Sequence, residues 1–165
     1  MNKLRLGTIL FLSIIGISSC EKDDICVDAD TPLLVLEFFD IADTSALKEV
    51  PNLRVIGLGQ SANLNAVANL NTISIPLKTT EDATSLLMVS NSALDENGNE
   101  TGNIDTLTFS YNRLENFASR GCGFIVNYEN LTDQLASGAD NWIQDVEIVR
   151  SLIINTDSTH VKIFH

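Results

Sequence analysis

Positive charge is scarce in this chain: 10 lysines and arginines face 22 aspartates and glutamates, a formal net charge of −12. Nucleic-acid binding needs Lys and Arg to neutralise phosphates, and no basic stripe supplies them, so no nucleic-acid partner is expected. Adsorption to anionic lipid is opposed on the same ground. Histidine is confined to His160 and His165, and cysteine to Cys20, Cys26 and Cys122. Isolated cysteines, with both histidines at the far end of the chain, argue against a zinc site, and no cofactor is implied. No Gly-x-Ser-x-Gly nucleophile elbow occurs anywhere in the sequence. Indole and phenol rings are limited to Trp142, Tyr111 and Tyr128. The apolar stretch from about Gly7 to Ile17 falls well short of the roughly 20 residues a membrane-spanning helix needs.

What is present at the start is an address. Lys3 and Arg5 precede that apolar stretch, and Ile17-Ser18-Ser19-Cys20 closes it before the charged cluster Glu21-Lys22-Asp23-Asp24. A basic start, an apolar run and small residues before a cleavage junction are the parts of a secretory signal, here residues 1–19. Ile17-Ser18-Ser19-Cys20 resembles the lipobox of bacterial lipoproteins, which implies acylation of Cys20 and a chain anchored to a membrane without spanning it. The competing reading is an ordinary signal peptide whose cleavage site happens to precede a cysteine. Glu21, Lys22, Asp23 and Asp24 after Cys20 resemble the export signal that takes many Bacteroidota lipoproteins to the outer cell surface. Residues 20–31 are expected to form an acylated acidic tether to the domain; the alternative reading of the cluster is a solvated charged stretch of that tether, with the lipoprotein facing the periplasm.

Without Lys3 and Arg5, 8 basic and 22 acidic residues give the mature chain a charge of −14. Its 146 residues, with the folded part at 32–165, suffice for one domain with a core of its own. If Cys20 carries lipid, Cys26 and Cys122 remain as a pair in an oxidising compartment, and a disulfide between them is the simplest account. Such a bridge closes a loop of about 97 residues and contributes roughly 4.5 kcal/mol in the chain-entropy model. Two free thiols are the alternative.

Period-two alternation recurs through the mature region and marks an all-β fold. Leu33 to Phe39 reads as a strand buried on both faces, beginning just after Pro32. Further strands are expected at Leu53 to Leu58, Thr72 to Leu77, Ser85 to Ser90, Ile104 to Tyr111, Cys122 to Tyr128, Val146 to Ile154 and Thr159 to Phe164. Cys122, Phe124, Val126 and Tyr128 share one strand face, and Asn155 to Ser158 reads as a hairpin connection. Leu64, Val67 and Leu70 sit at helical spacing within Ala62 to Leu70, and Ser45 to Val50 could form one helical turn. About eight short strands in one acidic secreted domain predict an antiparallel two-sheet sandwich, immunoglobulin-like or transthyretin-like.

Candidate chemistry is sparse. His160 alternates with Val161 and Ile163 and is expected to face solvent, which leaves it without a catalytic setting. Paired carboxylates are abundant, but no spacing singles out a pair for glycoside hydrolysis. The polar segment Asp95 to Asp105 offers oxygen ligands through Asp95, Asn97 and Asn99, yet Gly98 falls fourth where a calcium loop places glycine sixth. A long hairpin loop is the plainer account. Trp142 is either an exposed platform for a sugar ring or a plug closing one end of the sandwich.

Cys20 to Cys26, the strand after Pro32, Asn52-Leu53-Arg54-Val55 before Gly57, Ile75-Pro76-Leu77, Cys122-Gly123-Phe124 and His160 to Phe164 together resemble an uncharacterised family of Bacteroidota lipoproteins. That resemblance implies a lipid anchor, a β-rich domain and a cysteine pair, and no activity. The expectation is a non-enzymatic outer-membrane lipoprotein that meets an envelope protein or other envelope component. A glycan- or cation-binding module using Trp142 or the Asp95 to Asp105 loop is the second reading.

Overall fold

The run Leu33 to Phe39 becomes the spine of the fold. In the computed structural model, which describes residues 30–165, it forms β1 (Leu34–Asp40), with Leu34, Leu36 and Phe38 buried on one face and Val35 and Phe39 on the other. The other strands are β2 (Asp43–Leu47), β3 (Val50–Gly57), β4 (Ala68–Leu70), β5 (Thr72–Ile75), β6 (Ala83–Ser90), β7 (Asn103–Ser119), β8 (Gly123–Leu135), β9 (Asp145–Ile148) and β10 (Val161–Phe164). The fold is all-β, and the described residues contain no helix.

Two sheets form a sandwich. In the first, β1 lies beside β10, which in turn pairs with β9, while β5 and β2 follow one another along the other edge of β1. The β1–β10 pair is parallel, running from Leu36 opposite Val161 to Phe39 opposite Phe164. Parallel neighbours need a long connection, and here nearly the whole domain lies between them. The second sheet runs β4-β3-β6-β7-β8, and every pair in it is antiparallel.

Period two decides which side chains meet in the middle. Leu34, Leu36, Phe38, Ile73, Ile75, Val161 and Ile163 come from the first sheet, and Val55, Leu86, Met88, Leu107, Phe109, Tyr111 and Tyr128 from the second. The Tyr111 and Tyr128 rings meet edge to face at 4.9 Å, and Tyr128 Oη donates to the Leu77 carbonyl at 3.2 Å. Tyr111 Oη donates to the Lys78 carbonyl at 3.0 Å, so both hydroxyls are satisfied inside an apolar layer.

Several expectations need correction. Ten strands form where about eight were expected. Ser45 lies in a strand, and Ala62 to Leu70 is an irregular turn leading into β4. Asn65 explains the second case: its side-chain oxygen accepts from Val55 N–H at 2.8 Å, and its amide donates to Leu53 and Ala66 carbonyls at 2.9 Å. Asparagine thus offers the backbone partners that a helix would have supplied. The strand expected over Val146 to Ile154 stops at Ile148, and a long loop rather than a short hairpin leads to β10.

Candidate functional site

The strand β7 organises the sites because its two ends lie at opposite ends of the molecule. Its 17 residues span at most about 55 Å at strand rise. At its start, the loop 91–102 folds on itself through Asp95. One carboxylate oxygen of Asp95 accepts the N–H groups of Asn97 and Asn99 at 2.8 Å, and the other accepts the Asn99 amide at 3.0 Å. Gly98 completes the turn at φ +81°, in the left-handed region that favours glycine. Hydrogen bonds from the Asn99 side chain and backbone hold the Asp95 carboxyl below its usual range. The oxygens of Asp95 are directed into their own loop, and no cluster of three potential metal ligands occurs among the described residues.

Glu100, which no sequence motif singles out, locks this end. Its Oε1 accepts N–H groups of Ala93, Thr101 and Gly102 at 2.9 to 3.1 Å, and its Oε2 accepts Ser92 Oγ at 2.8 Å and the Arg54 guanidinium at 3.0 Å. Gly102 is required beside it, since a Cβ there would stand 2.7 Å from the Ser90 carbonyl oxygen. Burial pushes the Glu100 carboxyl up, but the bonds from Gly102, Ser92, Ala93 and Arg54 outweigh it and bring the pKa down to about 2. The folded-state pKa lies below the ordinary 4.5, so the stabilisation is complete above pH 4.5 and is lost as pH falls toward 2. Screening at this surface site holds the contribution to about 2 kcal/mol. Glu100→Gln is expected to cost that amount at pH 7 and to flatten the acid limb of stability. Urea midpoints measured from pH 7 to pH 2 would refute this if variant and parent ran parallel.

Trp142 closes the same end. Its Nε1 donates to the Met88 carbonyl at 3.0 Å, and its ring lies 6.3 Å from Phe38 and 5.7 Å from His165. Asp105, buried below, accepts Ile143 N–H at 2.8 Å and is pushed up by burial. The polar handle of the indole is therefore bonded to the core backbone.

His160 corrects the expectation that it faces solvent: it is 1% exposed. It lies one residue before β10 and bonds β1 in both directions, its N–H to the Val35 carbonyl at 3.1 Å and its Nδ1 accepting Val35 N–H at 3.1 Å. Burial, with Arg150 adding to it, holds the imidazole below its ordinary pKa, so the ring is neutral. A ring nitrogen that accepts a backbone bond is a structural group here.

The far end of β7 behaves differently. β7 and β8 continue as a two-stranded hairpin whose turn holds Arg120, Gly121 and Cys122. Phe124, expected to share one strand face with Tyr128, is 68% exposed, and its cross-strand partner Phe117 is 61% exposed. Their rings meet edge to face at 5.5 Å. Alternation puts Phe124 and Tyr128 on one face correctly, but the hairpin outruns the layer that would cover Phe124. Residues 116–128 contain no carboxylate, and Arg120 is their single charge. The chain enters beside this hairpin: Val126 N–H donates to Thr31 Oγ1 at 3.3 Å, and Leu33 N–H to Thr156 Oγ1 at 3.0 Å. Cys122 N–H bonds Ser119 Oγ at 3.0 Å, and Cys122 itself is not free. Cys20, Glu21, Lys22, Asp23, Asp24 and Cys26 lie outside the described residues, as does the expected signal 1–19.

Both ends of the sandwich fall within one matched region, since residues 52–165 fit the model of DUF6452, a family of unknown function. The chain belongs to that family. The DUF6452 region takes in the Glu100 lock, Trp142, His160 and the aromatic hairpin, and it begins inside β3, after the spine strand. No curated protein matches the chain, and no solved structure matches it.

Proposed function

We propose that this chain is a lipoprotein of the outer membrane, acylated at Cys20 and carried to the cell surface by Glu21, Lys22, Asp23 and Asp24. Its sandwich acts as a non-enzymatic interaction module for an envelope protein. The observation that carries the reading is the junction Ile17-Ser18-Ser19-Cys20 between an apolar run and a charged cluster. A disulfide between Cys26 and Cys122 belongs to the same reading. Thr31 is bonded to Val126, and four residues of strand, about 13 Å, separate Val126 from Cys122. The five residues from Thr31 back to Cys26 reach about 17 Å, enough to close the bridge.

A protein partner is favoured over a sugar or cation because the groups available to those ligands are already engaged. Trp142 Nε1 is bonded to Met88, and the Asp95 oxygens hold their own loop. The test has two arms on intact cells. External protease is expected to remove the wild-type domain and to spare a variant with Lys22, Asp23 and Asp24 replaced by Ala; equal digestion would end the export assignment. Crosslinking from a photoreactive group at Asn97 in the outer loop is expected to trap one envelope protein, and recovery of no specific adduct would overturn the partner assignment.

A further inference from the structure

We propose that the tip of the β7–β8 hairpin is a second membrane contact, with Phe117 and Phe124 seated in the interfacial layer of the leaflet that holds the acyl chains of Cys20. This rests on the anchor reading above and deepens it by naming the surface that meets the lipid.

Three observations converge on the tip. Two large apolar rings stand exposed side by side beyond the sandwich, where the fold has no use for them as core. An apolar pair at the end of a protruding ribbon suits shallow insertion at the boundary of headgroups and acyl chains. Charge points the same way. The mature chain carries −14, yet residues 116–128 have no carboxylate and end in the turn with Arg120, so the tip escapes the repulsion that the rest of the surface would meet. The loop 91–102 that leads into the opposite end of β7 carries Asp95, Glu96 and Glu100, which places an acidic pole at the far end of that strand from the aromatic one.

The third observation is the position of Thr31. Thr31 bonds to β8 at Val126, so the segment leading back to Cys20 leaves from the side of this hairpin. Eleven residues separate Thr31 from Cys20 and reach at most about 40 Å. With Cys26 tied to Cys122, the six residues back to Cys20 shorten that limit to about 20 Å. With that bridge closed, the anchor holds the aromatic tip beside the bilayer.

The experiment uses the full acylated protein reconstituted in phosphatidylcholine vesicles, with and without bromine on the acyl chains. Intact mass first establishes the lipid on Cys20. Phe124→Trp, read as the difference from the parent whose sole indole is Trp142, is expected to lose at least half its added emission in brominated vesicles. Leu94→Trp at the acidic pole is expected to lose none. An acylated protein whose added indole at 124 is unquenched overturns this inference alone, whereas an unacylated chain overturns the anchor reading and the inference with it. A blue shift at 124 that grows with protein concentration and ignores bromine would assign the rings to a second copy and also overturn it.

Discussion

Cys122→Ser is expected to lower the unfolding free energy by roughly 4 kcal/mol, the largest loss from any single change outside the core. The proposed bridge to Cys26 closes a loop of about 97 residues, and the model that attributes disulfide stability to the denatured chain gives roughly 4.5 kcal/mol for that length. Little of this resides in contacts of the native hairpin tip. Cys122 sits in a turn whose neighbours are Arg120 and Gly121, and Ser could keep the bond from its N–H to Ser119 Oγ. Urea denaturation of the mature protein with and without dithiothreitol separates the two contributions. Reduced wild type and the variant should unfold at the same midpoint, and reductant should leave the variant unmoved. A wild type indifferent to reductant would remove the bridge and, with it, the shorter of the two limits on the distance between Cys20 and the hairpin.

The strands that were legible in the sequence are those whose signal is local. Leu34 to Phe39 announces burial on both faces by composition alone, and Leu86, Met88, Leu107, Phe109 and Tyr111 alternate as the core face requires. What alternation cannot encode is which face has a layer opposite it. Phe124 and Tyr128 follow the same rule, yet one ends outside the sandwich and the other at its centre. The same limit applies to His160, whose burial depends on Val35, 125 residues away. Pairing of β1 with β10 joins the two extremes of the domain and leaves no trace in either segment. Glu100 was illegible for a different reason: its value lies in five bonds converging from Ser92, Ala93, Thr101, Gly102 and Arg54, and only the folded loop gathers them. Short strands such as β2 and β4, rich in Asp, Ser, Thr and Asn, form on partners already in place rather than on propensity.

Phe38→Ala is expected to cost about 4 kcal/mol, in the middle of the range for aromatic truncation in a core. Phe38 is fully buried in the central strand of the first sheet, and its backbone is held along the edge shared by β5 and β2 by bonds from its N–H to the Asn71 carbonyl and from Lys48 N–H to its own carbonyl, each 2.9 Å. The size of the loss turns on how well the surroundings can close over the missing ring. The Trp142 ring packs beside it at 6.3 Å, but its Nε1 is fixed to Met88, and moving the indole inward would leave that bond unmade. His165, 6.4 Å away and packed against Trp142, is held by the bond between its N–H and the Phe39 carbonyl. Neither can collapse cheaply, so the cavity persists and the cost stays high. Phe38→Leu keeps most of the volume and is expected to lose about 1.5 kcal/mol. Denaturation followed by the emission of Trp142 reads both stability and the indole's surroundings in one measurement. A loss below about 1 kcal/mol for Phe38→Ala would mean that Trp142 does move, and that the acidic end of the sandwich is softer than its hydrogen bonds imply.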